Sequence, residues 1–177
     1  MFSRKINSVS AIGITLLLAG LTAGYALACV TGFNIMSGDQ ELLRMKNYTQ
    51  GTSSWQDPLS ANAGDQIKFL VYYHCGTDEP AWSTVRARNT KVRFEYPTSR
   101  QTAITTSGRV SADNLSAVSN AGTINVSSSQ KLTMSTTATW YHDGIETNLS
   151  ASSGSGYLEV SLGDLECDYM NCFNKAG

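Results

Sequence analysis

Ile67-Lys68-Phe69-Leu70-Val71-Tyr72-Tyr73-His74 is the stretch on which the reading of this chain turns. Ile67, Phe69, Val71 and Tyr73 fall on one side of an extended backbone and Lys68, Leu70, Tyr72 and His74 on the other, the period of two of a strand with one face on a core. Ala63-Gly64-Asp65 before it and Cys75-Gly76-Thr77-Asp78 after it supply turn residues at both ends. Working outward, Val92, Phe94 and Tyr96 alternate with Arg93 and Glu95, and Leu158, Val160 and Leu162 alternate with Glu159 and Ser161. Leu132, Met134, Thr136, Ala138 and Trp140 form a longer run, and weaker ones lie at 41–49, 102–110, 123–127 and 145–150. Turn residues separate these runs and no helical period competes with them, so the expected fold is one all-β, antiparallel module, a sandwich or a barrel. Residues 98–130 are rich in Ser, Thr and Asn and poor in large apolar residues, and are expected as long, exposed strands and loops of weak register.

The N-terminus has the anatomy of a cleavable signal peptide: basic Arg4 and Lys5, an apolar stretch from Ala11 to Leu21, and Ala26-Leu27-Ala28 before Cys29. Gly13, Thr15, Gly20, Thr22 and Gly24 interrupt that stretch, leaving it short of the roughly 20 apolar residues of a membrane span. Cleavage after Ala28 gives the expected division: 1–28 signal peptide, 29–49 N-terminal extension or first strand, 50–177 sandwich domain. Of the 13 basic residues 11 follow the cut, with all 14 acidic ones, so the mature segment carries a formal charge of −3 and no basic cluster. Nucleic acid is therefore not expected as a partner, and the membrane is met only through the signal peptide. The expected location is secreted or cell-surface.

Cys29, Cys75, Cys167 and Cys172 all lie beyond the cut, an even number bound for an oxidising compartment. Two disulfides are expected, with three connectivities open; Cys29–Cys75 and Cys167–Cys172 are favoured, because the start of a first strand and the end of its antiparallel successor share one end of a sandwich. A metal site is the rival use of these residues, with His74 beside Cys75, His142 elsewhere and Met170 between the last two cysteines. A blue-copper set needs two His with the Cys, and no His accompanies Cys167 and Cys172, so no metal or other cofactor is expected. No catalytic site is expected either. His74 and Cys75 are neighbours whose side chains diverge on an extended strand, and no nucleophile elbow, His-Glu-x-x-His or phosphate loop is present.

Trp55, Trp82, Trp140 and eight tyrosines are either packing residues or the stacking face of a glycan-binding module. Trp82, in the polar loop 78–84, is the one expected to touch a partner. The sequons at Asn47, Asn114, Asn125 and Asn148 would be glycan sites in a eukaryote, but the leader reads as bacterial and makes them incidental.

Trp55, Ala61-Asn62-Ala63-Gly64-Asp65, Tyr72-Tyr73-His74, Gly76-Thr77, Asn89-Thr90-Lys91-Val92, Pro97 and Leu162-Gly163-Asp164 follow one another in an order with a parallel. It resembles that of the immunoglobulin-like repeat domains of unknown function found in bacterial and archaeal surface proteins, over roughly residues 50 to 165. The resemblance implies an immunoglobulin-like antiparallel β-sandwich with a structural or adhesive role, associating with other surface proteins or with itself. Three features depart from it: Cys75 stands where that family has Asn, the loop 76–89 is longer, and little chain follows Leu162-Gly163-Asp164. A missing last strand and an extra segment at 29–49 with Phe33, Ile35, Leu42, Leu43 and Met45 raise two expectations. Either the segment is the domain's own first strand, or it fills the groove of another subunit and builds a fibre.

Cys29 directly after the cut makes a lipid anchor the alternative N-terminus, although Leu27 and Ala26 suit such a signal poorly. Mass spectrometry of the exported protein is expected to find an unmodified Cys29 at the N-terminus; a diacylglyceryl mass on it would establish the anchor instead.

Overall fold

The computed structural model describes residues 31–36, 38–77, 85–142 and 144–169. The expected signal peptide, residues 1–28, and Cys29, Trp82, Met170 and Cys172 lie outside them. Among the described residues every regular element is a strand: β1 (Gly32–Phe33), β2 (Leu43–Asn47), β3 (Leu59–Ala61), β4 (Ile67–Val71), β5 (Cys75–Thr77), β6 (Arg86–Glu95), β7 (Gln101–Ala112), β8 (Leu115–Gln130), β9 (Thr137–His142), β10 (Ile145–Ser150), β11 (Ser152–Gly154), β12 (Tyr157–Glu166) and β13 (Asp168–Tyr169).

A six-stranded sheet in the order β11-β12-β6-β7-β8-β3 forms one layer, and the β2–β4 ladder lies across its inner face. Leu43, Met45 and Asn47 alternate inward from β2 with no exposed surface. One core cluster gathers Phe33, Leu42, Leu43, Cys75, Ala87, Phe94 and Val110; the other gathers Met45, Leu59, Ala61, Ile104 and Ile124. Phe69 of β4 joins both and meets Phe94 of β6 with ring centroids 4.4 Å apart. Each buried Leu, Ile, Val, Met or Phe side chain among them contributes about 1.5–3 kcal/mol by leaving water.

The period of two from Ile67 is kept through Cys75 although the pairing partner changes on the way. β4 pairs with β2 as far as Val71, and β5 pairs with β1 from Cys75. Asn34 bridges the gap: its N–H donates to His74 O (2.8 Å), its Oδ1 accepts from His74 N (2.8 Å), and its Nδ2 donates to Tyr72 O (3.3 Å). These contacts hold Asn34 at φ 52°, a left-handed backbone that Asn tolerates better than most residues. The segment from 31 therefore folds back into its own domain, with Phe33 and Leu43 in the core. The chain after Leu162-Gly163-Asp164 also adds a strand, since β13 runs parallel to β5.

Two expectations are corrected. The sheets are not purely antiparallel: β3–β8 and β13–β5 are parallel, because each pair joins segments far apart in sequence whose direction no tight hairpin dictates. Residues 98–130 are long strands as expected, but their register is firm and their place is central. They form the two longest strands, with β7 in the sheet interior, and a continuous register from Val110↔Val118 to Ala103↔Asn125. Small residues sit there because the second layer presses close: a Cβ on Gly108 would lie 3.0 Å from Leu42 Cδ2 and 3.2 Å from Val71 Cγ2, and one on Gly122 would lie 2.7 Å from Met45 Cε. The run from Leu132 also divides, with Leu132 packing on the second cluster, Met134 on the first, and only β9 extended.

Gly108→Val is expected to destabilise the domain by about 1–3 kcal/mol through overpacking, whereas Thr105→Val on the exposed side of the same strand changes stability by less than about 0.5 kcal/mol. Urea denaturation of the two variants measures the difference.

Candidate functional site

Chemistry-bearing side chains converge around β5. On one side β1 pairs antiparallel with it, Phe33 opposite Cys75; on the other β13 pairs parallel, Asp168 opposite Gly76. β12 carries the chain to this point, and Cys167 N donates to Val85 O at 2.9 Å. The result is a Cys75–Cys167 disulfide with a Cα–Cα distance of 4.6 Å across 92 residues of sequence. This corrects the expected pairing of Cys29 with Cys75 and of Cys167 with Cys172. The first strand does lie beside Cys75, but it presents Phe33 there, and the parallel return of β13 brings Cys167 within bonding reach. Cys29 and Cys172 themselves lie outside the described residues.

His74 points away from the core, as the alternation requires, into a pair of carboxylates. Nδ1 lies 2.9 Å from Asp39 Oδ1 and Nε2 lies 2.8 Å from Asp168 Oδ2, so the ring joins the loop after β1 to β13. Tyr72 Oη donates to the same Asp39 oxygen at 3.2 Å. Both ring nitrogens can donate at once only in the imidazolium. Burial alone would favour the neutral ring, but the hydrogen bonds to Asp168 and Asp39 and the charges of both acids outweigh it and raise the pKa above the ordinary 6.5. Nearby, burial raises the phenol of Tyr72, with Asp39 adding to the shift, and pushes Tyr73 up to about 12. Tyr73 Oη accepts the indole N–H of Trp140 at 2.5 Å, which pins β9 to this end of the domain.

This arrangement fastens chain segments. The sulfurs of Cys75 and Cys167 are tied up as a disulfide, and both ring nitrogens of His74 are engaged by carboxylates. Among the described residues, no group of three or more His, Cys, Asp or Glu is arranged to hold a metal ion.

Two further fasteners use residues that the sequence brings into view only as separate turns. Asn89 (φ 50°) and Gly163 (φ 74°) form facing irregularities in β6 and β12, where Asn89 N donates to Asp164 Oδ1 at 2.9 Å. The left-handed Asn89 resets the alternation, so that Ala87 and Thr90 are both buried. At the other end, Asp65 Oδ2 accepts from Asn62 N (2.8 Å), from the buried Asn47 Nδ2 (2.8 Å) and from Gln50 Nε2 (2.7 Å). The Asn62 and Asn47 bonds hold its pKa below the usual 3.8.

The β9–β10 ribbon belongs to neither large sheet. Trp140 stacks on His142 with centroids 5.2 Å apart, and Tyr141 and Ile145 at its tip are 68% and 66% exposed. Sequence reasoning passed over these two, along with Asp39 and Asp168, because nothing in their neighbours marks them out. No protein-family model matches the chain, and no curated protein or solved structure matches it.

A raised His pKa stabilises the fold fully below the unfolded value of 6.5 and ceases to do so as pH rises through the folded value. Asp65 has the opposite sign: its contribution is present above 3.8 and disappears as pH falls through its lowered value. The thermal midpoint is therefore expected to decline as pH rises above 6.5, and His74→Gln should flatten that decline while leaving the contribution of Asp65 at acid pH in place. Calorimetry from below pH 3.8 to well above pH 6.5 measures both.

Proposed function

We propose that the chain is a secreted or cell-surface structural and adhesive module, an immunoglobulin-like β-sandwich exported by residues 1–28, with no catalysis of its own. The observation that carries this reading is the covalent route through the domain. From residue 31 the chain runs to Cys75, crosses the disulfide to Cys167 and leaves at β13, so β6 to β12 hang outside the route as a closed loop. A pull on the two ends thus reaches the small segment 31–75, with the edge strand β3, and spares the other strands of the six-stranded sheet, β6 to β8 and β11 to β12. β5 also pairs with a strand from each end, which puts those pairings along the line of force. A disulfide used this way suits an oxidising, extracytoplasmic location, and the opposed layers with their Gly163-Asp164 and Gly64-Asp65 motifs suit the sandwich.

A second reading, a glycan- or ligand-binding module, is favoured by the ribbon tip, where Tyr141 and Ile145 stand exposed beside the Trp140–His142 stack. Binding on a glycan array that Tyr141→Ala abolishes would favour this reading over a purely structural one.

Single-molecule stretching of the oxidised mature protein tests the structural reading. The loop between the cysteines, a sequence separation of 92, should stay out of the unfolding length and be released only on reduction, adding roughly 300 Å at about 3.3–3.6 Å per residue. Equal lengths with and without reductant would remove its basis.

A further inference from the structure

We propose that two copies of this chain associate by antiparallel pairing of the stretch of β8 ahead of β3, which joins their two six-stranded sheets edge to edge. The inference does not rest on the function proposed above.

β8 is 16 residues long, yet on the side away from β7 its only partner among the described residues is β3, which covers Ile124 to Val126. Ahead of that point Thr123 N–H turns away from β7 to donate to Asp57 Oδ1 at 3.0 Å. In a regular strand, residues two apart aim their backbone groups the same way, and the β7–β8 register is unbroken from Val118 to Asn125. The N–H and C=O of Ser119 and Ala121 therefore also face outward, along an edge where no strand of the described residues pairs with them. Both residues are exposed.

Open edges are normally guarded by charge, proline or a bulge. The opposite edge of the same sheet is short and irregular: β11 has 3 residues, and beyond it β12 is bent at Gly163. β8 contains no Asp, Glu, Lys, Arg or Pro anywhere in Leu115–Gln130. The carboxylate of Glu41 on this rim is held by Asn120 Nδ2 at 3.2 Å.

The neutral strand points to a second copy as the occupant. Antiparallel pairing of a strand with itself is two-fold symmetric, so any charge on it would face its own like. An uncharged strand avoids that repulsion, and because the pairing is two-fold it closes at a dimer.

Sedimentation analysis of the exported, oxidised protein is expected to show a reversible dimer. Ala121→Pro deletes an outward N–H that the internal ladder does not use, a place where proline is tolerated. It should weaken dimerisation by about tenfold or more. Ser119→Lys, a change on the exposed face, should do the same through like-charge repulsion, and mixing it with Ser119→Glu should restore association above that of either alone. A wild type that stays monomeric at every concentration overturns the proposal. So does a dimer whose affinity is unchanged in folded Ser119→Lys, whatever the fate of the proline variant.

Discussion

The disulfide between Cys75 and Cys167 lies where three parts of the chain meet, and most of what is specific to this domain is arranged around it. Closing a loop across 92 residues stabilises a fold by on the order of 4 kcal/mol in the chain-entropy view, much of what keeps a small domain folded. Its position matters as much as its strength. Because Cys75 belongs to the central strand of β1-β5-β13, the bond fixes the exit of β12 against the strand that also receives β1. Without it, the two-residue ladders of β1 and β13 would have to hold by a few backbone hydrogen bonds.

Around that bond the polar contacts divide the same task by range and by pH. His74 connects Asp39 and Asp168, a buried acid and an exposed one, whose side chains are 8% and 77% accessible. The Asp39 contact is shielded and persistent, while the Asp168 contact is open to salt and water. Asp65 performs the equivalent service at the far end of β4 through neutral donors, so its hold does not require a second charge. The two ends of the β2–β4 layer thus respond to pH in opposite senses, and the interval between the two carries both contributions.

The packing between layers explains a composition that otherwise looks unsuited to a core. Gly108, Gly122 and Thr106 sit beneath Leu42, Leu43, Val71 and Met45, so the bulk that fills the interior comes from the small layer and the large sheet supplies the room. The same economy leaves the other face of β7 and β8 covered with Ser, Thr, Ala and Asn. Ahead of β3, the outer edge of β8 is consequently a stretch of backbone with which no strand among the described residues pairs, with the carboxylates of Glu41 and Asp57 at its rim.

The sequence by itself determined the strand class of the protein and the direction in which most side chains point. Alternation from Ile67 to Cys75 sends Phe69, Val71 and Tyr73 inward and His74 outward, Gly64-Asp65 turns the chain into β4, Pro97 follows the end of β6, and 145–150 is a strand as its pattern predicts. These are local properties, set by the two-residue period and by the backbone preferences of Gly and Pro. Only the tertiary structure decided that Cys75 joins Cys167, that His74 meets Asp39 and Asp168, that Asn89 receives Asp164, and that the Ser- and Thr-rich stretch from 101 to 130 is central. Each of those depends on which strand lies beside which, over separations of 35 to 94 residues for the cysteine, histidine and asparagine pairings. A glycine reads as a weak strand residue until the side chain that needs its space is in place above it.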